Sequence, residues 1–181
     1  MDTPLRILAI IGSAQANSSN EHIVAALADM LQPHQLMIYN ELKNLPHFDP
    51  EQSVQNPPEQ VLRLREQIEQ ADGLIICSPE YIFSIPSGLK NAFEWCVATT
   101  VFSDKPTGII TASASGQKGH EELQLILNTL MARCTAESTL LIPGVKGKIN
   151  AAGAITDAMT TTALQAFSRH FLLMLDEHNQ L

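Results

Sequence analysis

Short apolar runs alternate along this chain with longer stretches in which apolar residues recur at helical spacing. The runs are rich in isoleucine and are followed by small or turn-forming residues, which is typical of strands buried on both faces of a sheet. Strands are predicted at residues 5–11, 35–39, 74–77, 107–111 and 138–142. The helical spacing predicts helices at residues 21–31, 59–71, 88–98, 120–134 and 156–175.

This strand–helix alternation indicates an α/β fold with right-handed crossovers and a parallel sheet covered by helices on both faces. Five strands suggest a flavodoxin-like three-layer sandwich with strand order 2-1-3-4-5, in which ligands bind at the carboxyl ends of the strands. Residues 40–58 contain four prolines and no clear period, so they are predicted to form a surface loop. Residues 1–181 are interpreted as a single domain.

Composition narrows the classes of function. The net charge is −8 and the few basic residues do not cluster, which argues against nucleic-acid binding. The three cysteines form no CxxC pair, which fits a reducing, cytoplasmic setting. The N-terminal apolar run is too short for a membrane span, and no histidine or cysteine spacing indicates a metal site.

The turn after the first strand has the character of a phosphate-binding turn. Residues 12–20, GSAQANSSN, carry small hydroxyl and amide side chains and lead directly into a helix, whose first backbone N–H groups can hold an anion. Neither a P-loop nor a GxGxxG motif is present. Taken alone, the serines at this turn could equally be ordinary helix N-caps.

A second loop, after the third strand, is more specific. Residues 79–95 read PEYIFSIPSGLKNAFEW. This loop resembles the pattern PEYNxxxPxxLKNAxxW of the NADPH-dependent FMN reductase family, and the first loop resembles that family's GSxRxxSxN. The matching positions are Gly12, Ser13, Ser18, Asn20, Pro79, Glu80, Tyr81, Pro86, Leu89, Lys90, Asn91, Ala92 and Trp95.

The resemblance implies an FMN site on three loops. The first loop would hold the phosphate, the second would meet the flavin ring through its backbone, and the serine- and glycine-rich stretch of residues 113–120 would lie on the flavin's other side. The residues implied to bind the cofactor are Ser13, Gln15, Ser18, Ser19, Asn20, Pro79, Glu80, Tyr81, Ile82, Phe83, Ser113, Ser115 and Gly116.

Two positions depart from the family's pattern. Gln15 stands where the family has arginine, which removes a charge-assisted contact worth about 1.5–3 kcal/mol. Ile82 stands where the family has asparagine, so it cannot hydrogen-bond a flavin edge. FMN binding is still expected, and weakened or altered binding is the alternative that these two positions leave open.

The resemblance further implies that NADPH or NADH reduces the flavin and that a small acceptor, such as a quinone or a flavin, then takes the electrons. No side chain is required as a catalytic acid or base. A flavodoxin-like electron carrier and a binding or regulatory module with weakened FMN affinity remain alternatives. The family also implies a homodimer or homotetramer. Trp95 is predicted to be a dimer contact, and burial in the core is the alternative. Cys77 is predicted to be an unreactive residue that packs in the interior.

Overall fold

The computed structural model of the protein describes residues 4–179. Within them, five strands, β1 to β5, lie at Arg6–Ile11, Gln35–Tyr39, Gly73–Ser78, Thr107–Ser113 and Thr139–Pro143. Six α-helices, α1 to α6, lie at Ser19–Met30, Pro50–Gln55, Glu59–Gln70, Ser87–Cys96, Gln117–Thr129 and Ala158–Asn179. Every predicted helix and strand is present, with shifts of a few residues at the ends.

All neighbouring strands pair in parallel, and the sheet has the order β2-β1-β3-β4-β5. This confirms the predicted flavodoxin-like topology. Because the strands are parallel, the loops that follow β1, β3 and β4 all leave the same edge of the sheet. The two loops singled out in the sequence are therefore neighbours in space.

The core has two halves, one on each face of the sheet. Side chains of a strand point alternately to the two faces, so Leu8 and Ile10 join the half under α3, α4 and α5, whereas Ile7 and Ala9 join the half under α1 and α6. All six residues of β3 are buried. Continuous burial on both faces explains why the central strands are uniformly apolar in the sequence.

The prediction that residues 40–58 form a surface loop is wrong in part, because this segment contains α2 and a short 3₁₀ helix at Leu42–Asn44. The Asp49 carboxylate accepts hydrogen bonds from the first amides of α2, and Pro50 occupies the first turn, where no N–H partner is needed. Leu42 and Leu45 are buried. The segment therefore packs against α4 instead of lying free in solvent.

The prediction of Trp95 as a dimer contact is also wrong. Its side chain is 0% exposed within the single chain. The indole Nε1 donates a hydrogen bond of 2.8 Å to the Pro46 carbonyl, and the Phe48 ring meets the indole edge to face at 5.4 Å. Trp95 is a core residue that anchors the segment before α2 onto α4.

Candidate functional site

The first loop brings free backbone donors to the start of α1. Ser18 caps the helix, and its Oγ accepts a hydrogen bond from the Glu21 amide at 3.3 Å. The amides of Ser19 and Asn20 make no hydrogen bond within residues 4–179. Two unpaired amides at a helix N-terminus, reinforced by the helix dipole, form a donor set suited to a phosphate.

The side chain of Asn20 has a structural task at this loop. It is 3% exposed, and its Nδ2 donates to the Ala112 carbonyl at 3.3 Å while its Oδ1 accepts from the Cys77 thiol at 3.3 Å. These contacts join the start of α1 to β3 and β4. Asn20 therefore offers a bound anion its backbone amide, whereas its side chain fixes the loop.

The burial of Cys77 agrees with the predicted packing role. The residue is 0% exposed, and burial raises the pKa of its thiol. A thiol with a raised pKa carries little thiolate at neutral pH and is a poor nucleophile. Covalent catalysis at Cys77 has no support.

Glu80 fastens the loop after β3 to the start of α5. One carboxylate oxygen accepts from the Gly116 amide at 3.2 Å and the other accepts from the Gly119 amide at 2.8 Å. A Cβ at Gly119 would lie 3.2 Å from the Glu80 Cβ, so glycine permits this close approach. The loops after β3 and β4 therefore form one connected unit.

A second carboxylate strengthens the same connection. Glu122 on α5 accepts hydrogen bonds from the Ser84 hydroxyl at 2.6 Å and from the Ile85 amide at 3.0 Å. Glu80 and Glu122 thus fix the loop after β3 at both ends. A loop fixed in this way presents its backbone to a ligand with little reorganisation.

The tip of this loop is a tight turn with an unusual sequence. Tyr81 and Ser84 exchange two backbone hydrogen bonds, of 2.8 and 3.0 Å, around Ile82 and Phe83. Ile82 has φ = 51° and Phe83 has φ = 59°, both in the left-handed region, and their side chains are 97% and 76% exposed. Turns of this form favour Asn-Gly, because a β-branched residue is strained at positive φ.

Replacing Ile82 with asparagine and Phe83 with glycine is expected to stabilise the protein by about 1–3 kcal/mol, because the strain of two left-handed residues is relieved while no buried contact is lost. Urea unfolding followed by circular dichroism measures the change. Ile82→Val is the matched control, since valine is also β-branched and leaves the free energy of unfolding nearly unchanged. A double variant that is less stable than the parent protein would show that the two side chains hold the turn.

The loops enclose a cavity of about 620 Å³ at the carboxyl edge of the sheet, a volume in the range of small-molecule and cofactor sites. Its wall contains most of the residues implied by the family resemblance: Ser13, Gln15, Ser18, Ser19, Asn20, Pro79, Glu80, Tyr81 and Ser113. Four of the implied residues lie outside that wall: Ile82, Phe83, Ser115 and Gly116. The Gly116 amide is instead engaged by Glu80, as described above.

A smaller cavity of about 340 Å³ adjoins the first on the side of β2. Ser13, Gln15 and Tyr81 belong to the walls of both cavities. The Glu21 carboxylate also lies at this smaller cavity and accepts a hydrogen bond of 2.8 Å from the Asn17 amide. A ligand in the larger cavity therefore has room beside it for part of a second molecule.

The residues of the larger cavity fit FMN. Unpaired amides and the Ser13, Ser18 and Ser19 hydroxyls line it where α1 begins, and Pro79, Tyr81 and Ala112 supply apolar surface elsewhere in the wall. A phosphate needs the first kind of surface and a flat aromatic ring needs the second. Glu80 and Glu122 hold in place the loop that carries Pro79 and Tyr81.

One stretch of the wall was missed from the sequence. Residues 144–147, which follow β5, line the larger cavity and include Lys146. No motif marks them; the signal that could have found them is their position after a parallel strand, because ligands bind at the carboxyl ends of all the strands.

His120 on α5 is hydrogen-bonded through Nδ1 to the Thr111 hydroxyl at 2.8 Å, and burial lowers the pKa of its imidazole. Across residues 4–179, no group of three histidine, cysteine or acidic side chains could hold a metal ion. In the same part of the chain, no helix has the length and apolar character needed to cross a bilayer.

Comparison with known proteins gives a consistent result. The sequence profile described as NADPH-dependent FMN reductase matches residues 5–146. The chain is 30% identical over 178 residues to the NADH:(hydroxy)cinnamate reductase subunit CrdA of Vibrio ruber, covering 95% of this chain and 88% of that protein. It is 31% identical over 136 residues to a quinone reductase of Escherichia coli K12, covering 72% of this chain and 71% of that protein.

A solved structure shows the same fold. The chain superposes on FerB, a flavoenzyme NAD(P)H:(acceptor) oxidoreductase from Paracoccus denitrificans, with a TM-score of 0.78 and 23% sequence identity. The superposition covers 96% of this chain and 98% of that structure.

Proposed function

Since the chain belongs to the NADPH-dependent FMN reductase family, we propose that it is an FMN-dependent oxidoreductase that passes electrons from NADPH or NADH to a quinone or a similar small acceptor. The observation that carries this function is the cavity at the ends of β1, β3 and β4, with unpaired amides where α1 begins and an apolar wall beside them. The chemistry that bound FMN supplies is electron transfer between the nicotinamide and the acceptor.

In this proposal, the protein's own residues bind the cofactor and hold it in position. The Ser19 and Asn20 amides hold an anion, and the fixed backbone of residues 79–81 forms the wall for a flat ring. Cys77 and Asn20 are hydrogen-bonded to each other and Glu80 to two backbone amides, so none of these three side chains is free to act as a general acid or base. In this proposal, catalysis rests on orientation and local electrostatics.

The test is steady-state oxidation of NADPH and NADH by the FMN-loaded protein, with benzoquinone, free FMN and 4-hydroxycinnamate as separate acceptors. We expect rapid turnover. Double-reciprocal plots of rate against donor concentration, at several fixed acceptor concentrations, should give parallel lines, because the oxidised donor leaves before the acceptor binds. A protein that binds FMN but turns over no pair of substrates would be an electron carrier. A protein that binds no FMN would be the binding or regulatory module.

Gln15 sets the strength of FMN binding in this proposal. Its side chain is exposed and lies in the walls of both cavities. Gln15→Arg is expected to lower the Kd for FMN about tenfold, because it adds one charge-assisted contact to the phosphate. Fluorescence titration of the apoprotein measures this; Gln15→Met is the uncharged control, and equal Kd values for all three proteins would place position 15 away from the phosphate.

We also propose that the enzyme works in the cytoplasm, as a homodimer or homotetramer, and that residues 1–181 act as one reductase domain. The three cysteines are free thiols, which fits a reducing compartment. Large apolar side chains, Leu125 on α5 together with Met159 and Leu173 on α6, are exposed on the single chain and could be covered by a second copy. Sedimentation equilibrium measures the assembly, and a monomer at all concentrations would contradict this part of the proposal.

A further inference from the structure

The larger cavity contains one cation among the described residues, and it comes from outside the loops that match the family. The ionisable side chains of the wall are those of Glu80, Tyr81 and Lys146. Glu80 is already bound to two backbone amides. Lys146 makes no hydrogen bond or ion pair within residues 4–179, so its positive charge is free to meet a ligand.

The turn that carries Lys146 is held firmly against the rest of the site. The Gly144 amide donates to the Ala114 carbonyl at 3.0 Å, and Val145 is 4% exposed in the core half beneath α1 and α6. Just beyond, the Lys148 ammonium lies 4.0 Å from the Asp157 carboxylate, which itself caps the start of α6. Lys146 thus projects from a fixed backbone.

The space beside this turn is open. A Cβ placed on Gly144 or on Gly147 would meet no atom within 4 Å. The turn shares its core half with α1, and the cavity wall includes both Lys146 and the N-terminal amides of that helix. A dianion in this cavity would find neutral donors from α1 and a full positive charge from the turn after β5.

We infer that Lys146 is a binding residue for the FMN phosphate and supplies the positive charge that Gln15 does not. This inference rests on the proposed function. It assigns the turn after β5 a part in cofactor recognition, and it explains how a first loop with no cation of its own can hold a doubly charged group.

Lys146→Ala tests the inference when the Kd values of FMN and riboflavin are measured on the same apoprotein, because the two flavins differ only by the phosphate. We expect the variant to raise the Kd for FMN about tenfold and to leave the Kd for riboflavin unchanged. The rise of the FMN Kd with added NaCl should also be shallower in the variant. Gln15→Arg in the Lys146→Ala background should restore FMN affinity.

Lys148→Ala is the matched control, since this lysine lies two residues away, has the same charge and is paired with Asp157 outside the cavity wall. It should change neither Kd, and circular dichroism should show that both variants are folded. An unchanged ratio of the FMN and riboflavin Kd values in Lys146→Ala would overturn the inference and leave the proposed function intact. Failure of the parent protein to bind either flavin would overturn both.

Discussion

Replacing Glu80 with alanine is expected to lower the free energy of unfolding by about 2–4 kcal/mol and to weaken FMN binding at least about tenfold. The carboxylate accepts hydrogen bonds from the Gly116 and Gly119 amides, and both would lose a charged partner. Within residues 4–179, the hydrogen bonds that would then remain between the loop after β3 and α5 are those of Glu122. Binding a flat ring would require that the loop be ordered first, which costs affinity.

Urea unfolding and FMN titration of the same preparation separate the two effects of Glu80→Ala. Glu80→Gln should be intermediate, because an amide side chain has one acceptor oxygen in place of two. Glu121→Ala is the matched control on α5, because its carboxylate is exposed and pairs with Lys118 at the surface, where solvent screens the contact. If the Glu80→Ala variant is as stable as the parent protein and binds FMN equally well, the hydrogen bonds of Glu80 contribute neither to stability nor to FMN binding.

Replacing Trp95 with alanine is expected to lower the free energy of unfolding by about 3–5 kcal/mol, because it empties a large, fully buried site. It also removes one of the two hydrogen bonds that the Pro46 carbonyl accepts, and the one from Asn91 Nδ2 remains. Trp95→Phe should cost less, since the ring contact with Phe48 can persist while the hydrogen bond is lost. Thermal and urea unfolding measure both changes.

Sedimentation of the Trp95→Phe variant tests whether Trp95 is a dimer contact, the role that its burial contradicts. A side chain buried within one chain cannot determine how two chains pair, so the variant should sediment as the parent protein does. A folded Trp95→Phe protein with an altered assembly state, or a Trp95→Ala protein with unchanged stability, would contradict the position of the indole in the core.

The fold was predictable from the sequence because its three central strands, β1, β3 and β4, are buried on both faces. A short apolar run such as RILAII suits the interior of a parallel sheet, and the order of strands and helices leaves few possible topologies. The helix α2 was missed because it has only six residues and too few apolar positions to show a period. Its real signal was local, an Asp49–Pro50 pair that caps and starts a helix.

The candidate site was predictable only as far as its loops. Motif spacing located the loops after β1 and β3 but could not show where each side chain points. Asn20 and Glu80 match the family's pattern, yet their side chains are engaged with other parts of the chain, and this depends on contacts across 92 and 36 residues of sequence. Such partners are set by the packing of distant elements and leave no trace in a local pattern.

The same limit applies to Trp95 and Lys146. An aromatic residue on an amphipathic helix suits either a core or an interface, and only the position of Pro46 and Phe48 decides between them. Lys146 follows an edge strand and belongs to no motif, so its place in the cavity wall depends on where β5 lies in the assembled sheet.

The most direct measurement is a crystal structure of the protein grown with saturating FMN. We expect one FMN per chain in the cavity at the ends of β1, β3 and β4, with its phosphate at the Ser19 and Asn20 amides and its ring against residues 79–81. A structure in which that cavity is filled by the protein's own side chains, with FMN absent from it, would contradict the function proposed for this chain.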